Sequence, residues 1–272
     1  MLAYGRAVHM SALRDVTRRW GLTVGPPIEH GGKWAWVAPA SDGTGRELIL
    51  KIVKRFTDTA HEAHGLRLWD GGGAVRLYAA RDFDETKALL LERCVPGTTL
   101  GQALPEPEQD VVVAGLLRRL WRPAGEPFRP LSRMCAEWAD EFDAKYAPGM
   151  IDPGIARAGL ALYRELAHTA DTAVLLCTDL HGGNILAAQR EPWLMIDPAP
   201  YVGDPAYDVT QHMLNCPGRL AGDPVGLARR MAGLLDLDAE RVVRWLFARC
   251  VQESPEWTAL RPVAVRLAPF VS

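Results

Sequence analysis

The strongest constraint on this 272-residue chain is a change of character near Pro96-Gly97. Before it, short aliphatic runs alternate with turn residues. After it, apolar residues recur mostly at helical spacing. Residues 1–20 read as a helix stopped by Gly21, followed by β-type segments at 22–30, 33–39 and 46–53. Gly31-Gly32 and Ser41-Asp42-Gly43-Thr44-Gly45 supply the turns between them. A helix over 58–69 runs into Gly71-Gly72-Gly73, and two further strands, 75–81 and 87–93, turn at Asp82-Phe83-Asp84-Glu85. Later helices are expected at 107–121, 132–146, 153–169, 206–214, 223–235 and 238–250, with a β-rich stretch at 174–196. This predicts an α+β chain with a small five-stranded lobe over 1–93, a hinge at 94–97 and a larger helical lobe over 98–272.

Charge narrows the function classes. Thirty-one Lys and Arg oppose 33 Asp and Glu, a formal net charge of −2. That balance argues against a nucleic-acid partner held by blanketing phosphates. No apolar run reaches the length of a membrane span, and the Arg-bearing N-terminus lacks the apolar core of a signal peptide. The five cysteines are scattered, with no Cys-x-x-Cys pair, so a disulfide scaffold or zinc knuckle is not expected and a cytoplasmic location is. The small net charge conceals an asymmetry. Residues 1–93 carry 14 basic and 11 acidic side chains, whereas residues 94–272 carry 17 and 22. Such a division suits an anion held by the first part and a cation by the second.

The densest chemical signal is Leu175-Leu176-Cys177-Thr178-Asp179-Leu180-His181-Gly182-Gly183-Asn184, followed by Leu194-Met195-Ile196-Asp197-Pro198. Two apolar strands each deliver a carboxylate at the tip, where a polar group costs stability unless it has a task. The Asp-x4-Asn loop followed by an apolar segment ending in Asp resembles the core of kinase-like phosphotransferases. In that chemistry a carboxylate accepts the proton of the attacking hydroxyl. Hard oxygen donors hold a divalent metal against the phosphates.

The first lobe offers matching parts. Lys51 lies inside the apolar run Glu47-Leu48-Ile49-Leu50-Lys51-Ile52-Val53, and Glu62 falls on the next helix. The turn His30-Gly31-Gly32-Lys33 can cover phosphates. Glu92-Arg93-Cys94-Val95 follows the fifth strand, where a hinge backbone would meet an adenine edge. A two-metal hydrolase built from Asp179, His181, Asp197, Asp204, Asp208 and His212 is a rival, but it leaves Lys51 and Glu62 without a role. A nucleotide-binding regulator without transfer keeps the fold but not the need for every catalytic position.

With Tyr201-Val202-Gly203-Asp204-Pro205-Ala206-Tyr207-Asp208-Val209-Thr210-Gln211-His212, the region 175–216 closely resembles the aminoglycoside/hydroxyurea antibiotic-resistance kinases, streptomycin 6-kinases in particular. The resemblance implies a bilobal protein-kinase-like fold that moves the γ-phosphate of ATP or GTP, with Mg2+, to a hydroxyl of a small drug. By that resemblance Asp179 is the catalytic base, Asn184 and Asp197 are metal ligands, and Lys51 with Glu62 anchors phosphate. Asp208 and His181 are structural supports of the loop. Two departures stand out: Cys177-Thr178 replaces a His-Gly pair common in other aminoglycoside kinases, and Ala199 stands where a lysine is expected. For a polycationic aminoglycoside acceptor, Glu137, Asp140 and Glu141 share one face of the 132–146 helix and form a candidate receptor; Glu253 and Glu256 form another.

Overall fold

The computed structural model describes residues 2–28, 35–55, 61–146 and 149–271. The chain forms two compact units, Met1–Thr98 with Leu186–Asp197, and Thr99–Ile185 with Pro198–Ser272. The stretch bearing Asp197 therefore returns to the first unit, a feature that a linear division at 93 and 97 does not contain.

In the first unit, α1 (Leu2–Arg19) precedes an antiparallel sheet of β1 (Thr23–Val24), β2 (Ala35–Ser41), β3 (Glu47–Lys54), β4 (Leu77–Asp82) and β5 (Thr86–Glu92), in the order β1-β2-β3-β5-β4. The expected 22–30 strand shortens to Thr23–Val24 because Gly25-Pro26-Pro27 follows, and prolines have no N–H to donate to a ladder. Leu48, Leu50 and Ile52 of β3 pack with Ala88 and Leu90 of β5 and with Ala12 and Val16 of α1. Between β3 and β4 lies α2 (Glu62–Trp69), which ends at Asp70 in the left-handed conformation. A hairpin of β7 (Ile185–Ala187) and β8 (Trp193–Met195) joins this unit, where Val75 N–H donates to Met195 O and Met195 N–H to Gly73 O.

The second unit is mainly helical, with α3 (Leu100–Ala103), α4 (Glu106–Leu120), α5 (Leu131–Lys145) and α6 (Pro153–Leu166), then α7 (Pro205–Asp208) and α8 (Thr210–Leu214). After these come α9 (Pro217–Gly222), α10 (Pro224–Leu235), α11 (Ala239–Gln252) and α12 (Leu260–Leu267). The helix expected over 206–214 is broken at Val209. The segments α9 and α12 are short and carry internal Gly or Pro, so their periodicity is too brief to read. One further pair, β6 (Val174–Leu176) with β9 (Tyr201–Gly203), is antiparallel. Helix α6 approaches α11 so closely that a Cβ at Gly159 would lie 2.5 Å from Val251, which only glycine permits. Beside this crossing Trp245 meets Tyr163 and Tyr207 edge-on, at 5.9 and 5.1 Å between ring centroids.

A fully buried carboxylate, Asp110 on α4, ties α8, α9 and α10 together. It takes His212 Nε2 at 2.9 Å, both Arg219 terminal nitrogens at 2.9 and 2.8 Å, and Arg230 Nε at 2.7 Å. Burial alone would raise its pKa, but hydrogen bonds from His212, Arg219 and Arg230 outweigh that and hold it well below the usual carboxylate range. A depressed folded pKa gives stability that is full above the unfolded value near ~3.9 and is lost as pH falls through the folded value. Asp110→Asn is therefore expected to lower stability by about 3–5 kcal/mol at neutral pH and to flatten the acid limb of the stability–pH curve. Urea unfolding at several pH values measures both effects. An unchanged acid limb would assign acid lability to other carboxylates.

Candidate active site

In the first unit Lys51 is inserted into β3 opposite Leu89 of β5 and Val37 of β2. An ammonium inside such an apolar strand must be paired. The residue is 5% exposed, and its Nζ donates to Glu62 Oε1 at 2.8 Å, Glu62 Oε2 at 2.9 Å and Asp197 Oδ1 at 3.0 Å. Burial opposes its charge, yet Glu62 and then Asp197 outweigh it and leave Lys51 above its ordinary pKa and protonated. Glu62, 1% exposed in the first turn of α2, is raised by burial and opposed by Lys51. Asp197 follows β8 with φ 51°, a left-handed conformation Asp tolerates, and keeps a half-exposed carboxylate with Oδ2 outside the lysine pair.

The residues expected at the hinge have a different engagement. Arg190, in the β7–β8 turn, grips Glu92 with Nε to Oε1 at 2.9 Å and Nη2 to Oε2 at 2.9 Å. It also donates to Gly71 O at 2.6 Å and Ala74 O at 2.9 Å. Burial would raise Glu92, but Arg190 and the Arg76 N–H bring it below its usual value. The Glu92 side chain is thus committed to Arg190 and the Arg76 N–H. Cys94 is buried, which pushes its thiol up to about 12. Gly31 and Gly32 lie outside the described residues.

In the second unit the loop after β6 is built around Asp208, a fully buried carboxylate on α7. Its oxygens accept Cys177 N–H at 2.9 Å, Thr178 N–H at 2.6 Å and Trp121 Nε1–H at 3.0 Å. Burial raises this carboxyl and the backbone donors oppose it. Thr178 takes φ 51°, a strained value for a β-branched residue, and is held there by Asp208 and by its own hydroxyl on Ala199 O at 2.5 Å. Ala199 N–H returns a bond to Cys177 O at 3.0 Å, so Ala199 serves the loop through its backbone.

This turn presents Asp179, whose side chain is 42% exposed. Asn184 Nδ2 donates to Asp179 Oδ2 at 2.9 Å and Gln211 Nε2 to Oδ1 at 2.8 Å. Because the Asn184 amide nitrogen faces Asp179, its carbonyl oxygen is turned to other uses. His181 Nδ1 accepts Gly183 N–H at 3.0 Å. Burial lowers the His181 pKa against the opposing pull of Asp179, so the ring is neutral. Asp204 is occupied elsewhere: it caps α7 and takes Arg241 Nε at 2.6 Å and Trp245 Nε1 at 2.5 Å. With Asp208 and His212 equally committed, the two-metal hydrolase reading loses three of its ligands. Among the described residues no group of three or more His, Cys, Asp or Glu is arranged to hold a metal.

The acidic receptor expected on α5 has partners of its own. Glu137 takes Arg129 at 2.6 Å and Arg133 at 3.3 Å, Asp140 takes Arg164 at 3.1 Å, and Glu141 lies 3.6 Å from Lys145. Glu253 is paired with Arg249 at 2.9 Å and Glu256 with Lys145 at 2.6 Å. These carboxylates form a salt-bridged surface because the same helices and their neighbours supply cations within reach. They are not a vacant acidic patch.

Sequence reasoning missed Gln211 and Arg190. Gln211 had a signal, since it follows Asp208 by three residues on a helical stretch and so shares its face. Arg190 had none: its partner Glu92 is 98 residues away.

Comparison with known proteins identifies the family and the fold. Residues 20–260 match the aminoglycoside/hydroxyurea antibiotic resistance kinase family. A hydroxyurea phosphotransferase of Kitasatospora aureofaciens is 37% identical over 246 residues, covering 88% of this chain and 70% of that protein. A streptomycin 6-kinase of Streptomyces glaucescens is 32% identical over 274 residues, covering 94% and 87%. The choline kinase LicA from Streptococcus pneumoniae superposes with a TM-score of 0.63 at 16% identity, covering 97% of both chains. Amicoumacin kinase hAmiN, solved with AMP-PNP, Ca2+ and Ami, gives 0.63 at 15% identity, covering 90% of this chain and 86% of that one. Such distant structures establish the fold, which is protein-kinase-like and α+β. No helix of the described residues is long and apolar enough to cross a membrane. With the family matched across most of its length and two relatives above 30% identity, the chain belongs to the aminoglycoside/hydroxyurea antibiotic resistance kinases.

Proposed function

We propose that the protein transfers the γ-phosphoryl group of ATP or GTP to a hydroxyl of a small antibiotic, with streptomycin-like aminoglycosides as first acceptors. The observation that carries this reading is the Asp179 carboxylate, oriented by Asn184 Nδ2 and Gln211 Nε2 at the tip of its loop and 42% exposed. Asp179 accepts the acceptor's hydroxyl proton, the hydroxyl oxygen forms a bond to phosphorus, and the bond to the bridging oxygen breaks with its electron pair leaving on the nucleoside diphosphate. Lys51, kept protonated by Glu62, donates to the phosphates. The hinge backbone at Glu92 and Cys94 reads the base edge.

Each unit offers an oxygen donor of the kind a hard divalent ion such as Mg2+ takes: in the second unit Asn184 has a carbonyl oxygen turned from Asp179, and in the first Asp197 has a carboxylate oxygen outside the lysine pair. When bound, that ion neutralises charge on the phosphate oxygens. A second reading, a small uncharged acceptor such as hydroxyurea, is favoured by the internal pairing of Glu137, Asp140 and Glu141 and by the 37%-identical relative.

Incubation with Mg2+ and ATP or GTP against a panel of aminoglycosides and hydroxyurea, read by mass spectrometry, tests both. The expected result is a singly phosphorylated product from one acceptor class. Nucleotide binding without transfer to any acceptor would leave a non-catalytic nucleotide-binding protein.

A further inference from the structure

His181 has one ring nitrogen committed and the other aimed at the reacting carboxylate. Its Nδ1 accepts the Gly183 N–H at 3.0 Å, which leaves the proton of the neutral ring on Nε2. The fit is close, because a Cβ at residue 183 would lie 2.8 Å from His181 Cε1; only glycine lets the ring lie there. Nε2 then stands 3.8 Å from Asp179 Oδ1, too far for a direct hydrogen bond. It is, however, a separation that one oxygen atom can bridge, sitting about 2.8 Å from each. Both side chains reach solvent, at 22% and 42% exposure, so the gap is accessible. Gln211 Nε2 donates to Oδ1 at 2.8 Å, and a carboxylate oxygen can accept more than one hydrogen bond.

We propose that His181 is an acceptor-binding residue: its Nε2–H donates to the oxygen of the acceptor hydroxyl while Asp179 Oδ1 takes that hydroxyl's proton. This rests on the phosphotransferase reading above and deepens it. The ligand class is an alcohol or N-hydroxyl group, an oxygen that donates and accepts at once. His181 keeps its own proton throughout. One oxygen lone pair receives its hydrogen bond, another forms the bond to phosphorus, and the hydroxyl proton passes to Asp179. The pair thus fixes the position and direction of the nucleophile, which a carboxylate alone leaves free to swing.

His181→Leu and His181→Gln test this in the full-length protein, with Mg2+, nucleotide and an acceptor that the wild type phosphorylates. The leucine variant is expected to lose roughly 10- to 100-fold in kcat/KM for the acceptor. Its nucleotide KM should stay within about twofold of wild type, and more of its phosphate should go to water. Glutamine extends a neutral N–H to nearly the same point and should restore most of the loss. A leucine variant with unchanged acceptor kinetics, one that loses nucleotide and acceptor affinity equally, or a folded glutamine variant no better than leucine would each overturn the assignment. A wild-type protein that phosphorylates nothing in the panel would instead overturn the phosphotransferase reading, and this one with it.

Discussion

Asp179→Asn is expected to lower kcat for phosphoryl transfer by roughly 10²–10⁴-fold, with nucleotide KM little changed. Asparagine keeps the shape of the side chain and one acceptor oxygen, but it cannot take a proton at neutral pH. It also replaces one carboxylate oxygen by an amide nitrogen. Since Asn184 and Gln211 both donate, at 2.9 and 2.8 Å, one of them would then face another donor. A modest loss of stability should therefore accompany the loss of rate. Steady-state kinetics with each substrate varied, together with thermal unfolding, separates the two. A variant within tenfold of wild-type kcat would remove Asp179 from the role of base.

Asp208→Ala is expected to be the most destabilising single change in the second unit. It leaves the N–H groups of Cys177 and Thr178 and the indole N–H of Trp121 without their acceptor. Each orphaned buried donor costs about 1–3 kcal/mol, so the loss is on the order of 3–6 kcal/mol, or a fall in Tm of roughly 10 °C or more. The same carboxylate holds Thr178 at φ 51°, so residual folded protein should also lose activity as the turn relaxes. Asp208→Asn retains one acceptor oxygen and should lie between alanine and wild type in both readouts. An alanine variant melting within about 3 °C of wild type would mean that water or backbone replaces all three bonds.

The two halves of the candidate site differed in how openly they could be read. Lys51 was legible because an ammonium amid Leu48, Ile49, Leu50, Ile52 and Val53 contradicts the run around it, and such a contradiction calls for a buried partner. Asp179 and Asn184 were legible from spacing along one loop. Gln211 was not singled out, although it donates to Asp179 from 32 residues away. The acidic face of α5 was legible on its helix, but the partners of its carboxylates were not. Periodicity reveals which side chains share a face; it says nothing of Arg164 and Arg129 arriving from neighbouring segments to neutralise them. Strand β9 was missed for a similar reason: three residues carry too little pattern, and only pairing with β6 makes them a strand.

By itself, the order of residues determined most of the succession of strands and helices, the buried lysine, and the loop that carries Asp179 and Asn184. These depend on local periodicity and on polar residues set in apolar runs, both written within a dozen positions. Tertiary structure decided who pairs with whom: Arg190 with Glu92, Gln211 with Asp179, Asp110 with two arginines and a histidine. It also brought Arg129 and Arg164 from neighbouring segments onto the acidic face of α5. A hydrogen bond or ion pair depends on distances of about 3 Å between atoms that packing brings together from remote parts of the chain, and such distances are not encoded at any one position.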